Sequence, residues 1–215
     1  MGLKKYDIDP ADVDADGLAD GNDSSVATIV IDGALASGGS FTSADGLAHR
    51  LNITDAGGHV QTGATYTIVG TNSNGNAQTE AIAGPGSSAT IETTEYFLTV
   101  TSITIASPAA SSTVDIGTVD EIVSPVYPLN WRCNTPATVA ITGTVGTYQV
   151  DIQQAFDDIY TDGVASATWF DGHADEAADM SGVLTLHATA VRIKSDSYTN
   201  GAELQFHINQ LEYST

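Results

Sequence analysis

An all-β protein is what this sequence predicts, and three observations predict it. Residues 64–70 (ATYTIVG) and 96–105 (YFLTVTSITI) alternate apolar and polar positions with a period near two. Gly, Pro, Asn and Asp recur between such runs at short spacing, where they set turns. Charged residues are only 15% of the chain, and the balance is made up by Gly, Ala, Ser and Thr. Thr, Val and Ile suit pleated surfaces, and a helical bundle is disfavoured. The 215 residues suffice for one large sandwich or two small ones.

In chain order, residues 1–24 are polar and Asp-rich and read as an N-terminal arm or ordered loop. Strands are expected at 27–31, 48–53, 64–70, 79–83, 91–93, 96–105 and 113–116. Their separators are Gly38-Gly39, Asp55-Ala56-Gly57-Gly58, Asn74-Gly75, Gly84-Pro85-Gly86 and Ser107-Pro108. Asn74-Gly75 predicts a type I′ hairpin turn, which needs φ > 0 at both central residues. This set makes a sandwich or jelly-roll-like module over residues 25–122. Pro125 and Pro128 mark a boundary or crossover. A second module over residues 123–215 has strands at 126–133, 138–141, 148–155, 167–170, 184–194 and 202–211. Residues 171–180 read as a loop with one helical turn.

The charge is lopsided: 27 acidic residues face 6 basic ones, a formal net charge of −21. Phosphate backbones need cations to displace their counterions. Nucleic acid and anionic membranes are therefore excluded as partners. Acidity of this kind keeps an abundant surface protein soluble. A sharper reading is that clustered carboxylates hold divalent cations or face a basic partner. Cys133 is the only cysteine, so no internal disulfide forms, and it reads as a small buried hydrophobe. The start MGLKKYDIDP lacks the apolar core of a signal peptide, and no run reaches the length of a membrane span. Cytosolic synthesis without an export signal is expected.

One motif carries metal-binding spacing. Counted from Asp12, acids fall at loop positions 1 (Asp12), 3 (Asp14), 5 (Asp16), 9 (Asp20) and 12 (Asp23), with Gly17 at position 6. That is the spacing of an EF-hand-like calcium loop, with the Leu18 carbonyl at position 7. Position 12 is Asp rather than the bidentate Glu, and no amphipathic helices flank it. A solvated acidic arm with a simple turn at Asp16-Gly17 is the other reading, and both stay open here.

Nothing points to catalysis. The histidines lack metal-ligand spacing; His187 and His207 are expected in the last two strands, where a cross-hairpin pair is one reading and a satisfied strand histidine the favoured one. Carboxylate pairs are plentiful, as chance allows in an acidic chain; Asp157-Asp158 near Tyr160 and Trp169 is the glycosidase-like candidate among them. There is no nucleophile elbow, phosphate loop or dinucleotide fingerprint. The expectation is a protein that binds rather than an enzyme. Trp131 sits in an apolar run and reads as core. Trp169, Phe170, Asp171 and His173, at a loop edge, are the candidates for contact with a partner subunit.

Residues 70–105 also resemble a segment of small proteins encoded among the virion genes of tailed bacteriophages. There a G-T-[DN]-x-N-G-N-A-x-T-E-x-I-A-G-P run leads into a Y-F-x-T-V-T-x-I strand. The pattern continues on both sides. Upstream it is matched by Asp14-Ala15-Asp16-Gly17-Leu18-Ala19, by residues 31–39 (IDGALASGG) and by residues 50–57. Downstream it is matched by residues 143–158, with one extra residue near Gly146, by Trp169-Phe170-Asp171-Gly172-His173 and by residues 190–201. The chain differs in its heavier acid content and in an insertion at 174–181. The resemblance implies a virion structural component made in the host cytoplasm. The role it suggests is a capsid decoration or cement protein on the outer head. Its partners are then the major capsid protein and copies of itself, as a homodimer or homotrimer. A tail, neck or head-fibre component, or a carbohydrate-binding adhesin on the particle, is the alternative.

Overall fold

The computed structural model describes residues 2–108, 112–132, 135–159, 163 and 167–210. Cys133 and Tyr160, read above as core thiol and active-site neighbour, lie outside these residues. The protein is all-β: antiparallel sheets account for its regular structure, and the described residues contain no α-helix. Among them no helix is long and apolar enough to cross a membrane. The chain forms two compact units, a contiguous one (Val13–Asp120) and a split one (Met1–Asp12 with Glu121–Thr215).

In the contiguous unit, one sheet has the order β4 (Ala36–Ser37), β5 (Ser40–Thr42), β10 (Thr99–Ala106), β7 (Thr65–Thr71) and β8 (Ala77–Ala83), with β3 (Thr28–Ile29) also beside β10. A second layer contains β2 (Ala19–Asp23), the start of β11 (Thr113–Val123), β6 (Ala48–Asp55) and β9 (Thr90–Glu92). One apolar cluster joins them, including Leu51 and Ile53 of β6, Ile116 of β11, Ile68 of β7 and Ile103 of β10. Alternation along each strand points these side chains inward, which is the packing of a β-sandwich.

The β7–β8 hairpin forms as predicted, but its turn is of another class. Gly75 adopts φ 77°, while Asn74 is not among the residues with positive φ. The Gly75 N–H donates to the Asn72 carbonyl at 2.9 Å, and the Asn72 N–H donates to the Asn76 carbonyl at 2.9 Å. Three residues, 73–75, therefore make the loop, with only the glycine left-handed. Asn72 organises it: its Oδ1 accepts the N–H groups of Asn74 (3.0 Å) and Asn76 (3.1 Å).

A carboxylate at the heart of a hydrogen-bond network is buried in this unit. Asp55 is 2% exposed. Its Oδ1 accepts from Gln61 Nε2 (2.9 Å) and Ser112 Oγ (2.6 Å), and its Oδ2 from the Ser88 N–H (2.9 Å). Tyr66 OH donates to Gln61 Oε1 and extends the network. Burial alone raises the Asp55 pKa, but the donors from Ser112, Ser88, Gln61 and the His59 main chain outweigh it and bring it down to about 2. Burial, and then the Asp55 charge, push the Tyr66 hydroxyl up to about 12.

The split unit also has two layers. One is a sheet ordered β1 (Leu3–Ile8), β18 (Glu203–Asn209), β13 (Thr138–Val145) and β16 (Met180–Val183). The other runs β15 (Trp169–Glu176), β14 (Tyr148–Ala155) and β17 (Ala190–Tyr198), with β12 (Tyr127–Pro128) and the end of β11 also paired to β17. Both layers contribute buried residues, among them Val139, Ile141 and Phe206 from the first and Val150, Ile152 and Ile193 from the second. Tyr127 stacks on Tyr6 (4.0 Å between centroids) and Phe206 (5.8 Å) of the facing sheet.

Four expectations are corrected here. Residues 1–24 are not simply an Asp-rich arm: β1 pairs with β18 in register from Leu3↔Asn209 to Ile8↔Leu204, and residues 19–23 form β2. The charges of Lys4, Lys5 and Asp7 hid a strand whose ladder comes from the open edge of β18. The contiguous division into 1–24, 25–122 and 123–215 differs from the compact units, because β1 carries the first twelve residues to the C-terminal half. Residues 171–180 are not a loop with a helical turn: 171–176 complete β15, which makes ladder bonds to β14 despite its polar sequence. Finally, His187 lies in the turn before β17 with φ 68°, while His207 sits on β18 between Lys5 and Ala140, so the two do not pair.

Candidate functional site

The Asp-rich loop does not gather its acids. Asp12 belongs to the split unit, where its Oδ1 accepts the Gly201 N–H at 2.8 Å. Asp23 Oδ1 accepts the Ser25 N–H at 2.8 Å. The Leu18 carbonyl, expected at position 7, accepts the N–H groups of Asp32 (3.1 Å) and Gly33 (3.0 Å). Asp20 and Asp23 stand on β2 on either side of Gly21 (φ 60°), where the β2–β11 register shifts. Asp14 and Asp16 do meet: a hydrogen bond shared with Asp16 raises the Asp14 pKa, as do burial and the Asp16 charge. Asp12 and Asp23 thus accept main-chain donors, and Asp14 pairs with Asp16.

A different set of carboxylates converges. Among the described residues, Asp151, Asp175 and Asp196 form the one group of three or more potential metal ligands within 4.8 Å of one another. They stand on β14, β15 and β17. Period-two alternation puts Gln149, Asp151 and Gln153 on one face of β14, opposite Val150 and Ile152 of the core. On β17 it does the same for Arg192, Lys194 and Asp196. Asp151, nearly buried, accepts the Asp175 N–H on Oδ1 at 3.0 Å, and Asp175 Oδ1 accepts from Gln149 Nε2 at 2.9 Å. Lys194 Nζ sits 2.5 Å from Asp196 Oδ1 and 3.7 Å from Asp151 Oδ2.

The electrostatics follow from that geometry. Burial raises the Asp151 pKa, and the charges of Asp196 and Asp171 add to it, against the Asp175 N–H and Lys194. Burial by itself lowers Lys194. The hydrogen bond to Asp196 and the charges of Asp196, Asp151 and Glu121 reverse this and hold it above its ordinary value. The carboxylate spacing suits a hard cation. Lys194 supplies one positive charge to three carboxylates, so the cluster is a partly compensated polar strut across three strands.

The predicted contact residues divide between two environments. Trp169 and Asp171 belong to a ladder on the outer face of this sheet. Arg192 lies 4.2 Å from the Trp169 ring centroid, Arg192 Nε donates to Gln153 Oε1 at 2.8 Å, and Gln153 Nε2 donates to Asp171 Oδ1 at 3.0 Å. Phe170 points the other way, is 51% exposed and packs against Phe156 at 5.8 Å. His173 turns inward: a Cβ on Gly182 would come within 2.2 Å of its Cε1, so the ring fills the space that glycine leaves. Its Nε2 is buried without a hydrogen-bond partner.

Reading the sequence alone missed Phe156, Asp151, Arg192, Lys194 and Asp196. The signal was present as polar residues at every second position of 149–153 and charged ones at every second position of 192–196. No protein-family model matches the chain, and no curated protein matches it.

Proposed function

We propose that this chain is a structural protein of a tailed-phage virion, bound to the outer head as a decoration or cement protein. The observation that carries the reading is the ordered run of motifs from residue 14 to residue 201, centred on residues 70–105. Two physical features support it. Antiparallel sheets tied by cross-strand polar ladders give each unit a framework suited to bridging neighbours. A net charge of −21 suits an outer surface remote from packaged DNA. The mechanism is binding. Apolar burial against adjacent capsid subunits opposes the outward pressure of the genome. The partners are the major capsid protein and copies of this chain, as a homodimer or homotrimer at a local symmetry axis.

Quantitative mass spectrometry of the virion encoded with this chain tests the proposal. A copy number in proportion to the capsid lattice is expected. A copy number matching one vertex or one tail would assign it to the neck, tail or head fibre instead. Its absence from the particle would overturn the reading.

A further inference from the structure

The split unit gathers exposed aromatic rings at one end. Of the five Phe in the chain, Phe41, Phe97 and Phe206 are buried, whereas Phe156 and Phe170 are 42% and 51% exposed and packed on each other. Trp131, 38% exposed, lies in the loop after β12, and exposed Leu186 lies in the loop between β16 and β17. Hydrogen bonds hold these loops to the same strand ends. The Leu129 N–H donates to the Thr189 carbonyl (2.8 Å), and the Thr189 N–H donates to the Ala155 carbonyl (2.8 Å). The Thr185 N–H donates to Gln154 Oε1 (2.9 Å), and His187 Nδ1 lies 2.8 Å from the Trp131 carbonyl oxygen. The exposed Phe and Trp rings of the described residues thus share the end where β14 stops and β15 and β17 begin.

Single exposed apolar residues are ordinary, but rings collected at one pole mark an interaction surface. The loops are already tied down, so docking there orders little that is free. The chemistry of the occupant follows from shape and charge. A 54° angle between Phe156 and Phe170 makes a ridge, not the flat platform on which a sugar ring stacks. Asp157, Asp158 and Asp171 adjoin Phe156 and Phe170 in sequence and outnumber Arg132 and Arg192, which lie over the Trp131 and Trp169 rings, in a chain of net charge −21. A second copy at this end, a nucleic acid or an anionic bilayer would each meet like charge.

We propose that the end bearing Trp131, Phe156, Phe170 and Leu186 docks into an apolar socket rimmed by Lys and Arg on a protein partner. The inference rests on the reading above, which makes that partner the capsid shell. The test mixes purified full-length chain with shells assembled in its absence and measures cosedimentation. Phe156→Ser/Phe170→Ser, and separately Trp131→Ser, are expected to weaken binding about tenfold or more. Val60→Ser, an exposed apolar residue of the other unit, is expected to leave it unchanged. Melting curves of each variant confirm folding, and Leu186→Ser replaces any that fails. Wild-type binding must also fall with added salt. Wild-type binding that all these variants retain overturns this inference and leaves the decoration reading standing. Failure of the wild type to bind overturns both. Self-association lost in the variants would make a second copy the occupant and also overturn the inference.

Discussion

Asp55 shows how one buried charge ties pH to stability. Its pKa falls from 3.8 unfolded to about 2 folded, held down by hydrogen bonds to Ser112, Ser88 and Gln61. A depressed carboxylate pKa adds stability above the unfolded value, and that stability is lost as pH falls through the folded value. The contribution is on the order of 2 kcal/mol. Urea titrations of wild type and Asp55→Asn between pH 6 and pH 2 should show the variant less stable at pH 6. The gap should close between about pH 4 and pH 2. Gly182 is a second residue-scale case. Gly182→Ala forces a methyl group into the His173 ring and is expected to cost about 1–3 kcal/mol by thermal melting. His173→Ala in the same chain should recover part of the loss.

At the scale of elements, the lysine strut and the N-terminal strand make separate predictions. Lys194→Met leaves Asp151, Asp175 and Asp196 without their ammonium. Removing one partner of a partly buried pair costs more than the pair itself contributes. A loss of about 1–3 kcal/mol is expected after allowance for solvent screening, and Asp196→Asn should restore part of it. Calorimetry of the two variants checks this. Deleting residues 2–8 removes β1 and exposes the β18 edge. An unpaired edge templates pairing with another chain. Faster amide exchange along 203–209 and concentration-dependent association, by hydrogen exchange and light scattering, are the expected outcomes.

The whole molecule is governed by its charge imbalance. With 27 acids and 6 bases, self-repulsion acts on the folded state across the surface. Screening relieves it, because the Debye length shortens from about 30 Å at 0.01 M to about 10 Å at 0.1 M salt. The melting temperature should therefore rise between low salt and half-molar sodium chloride, by scanning calorimetry. A fall would mean that ion pairs such as those of Lys5, Arg50 and Lys194 outweigh the repulsion among the acids.

Local patterning determined much of this protein. Strands β7 and β10 were legible because half-buried strands repeat every two residues, β6, β13 and β14 as short apolar-rich runs between turn residues, and the β7–β8 hairpin in Asn74-Gly75. Tertiary structure decided the rest. The class of that hairpin turn depends on the Asn72 side chain capturing two main-chain N–H groups. Strands β1 and β15 carry little apolar alternation, and only the open edges of β18 and β14 make them strands. The Asp12–Asp23 spacing left a metal loop and a solvated arm both open, because spacing records order along the chain, not where ligand atoms point. Asp151, Asp175 and Asp196 converge from three strands, with Lys194 between them, because pairing register joins residues that sequence separation keeps apart. Phe156 and Phe170 meet for the same reason, and their exposure is set by where the strands end.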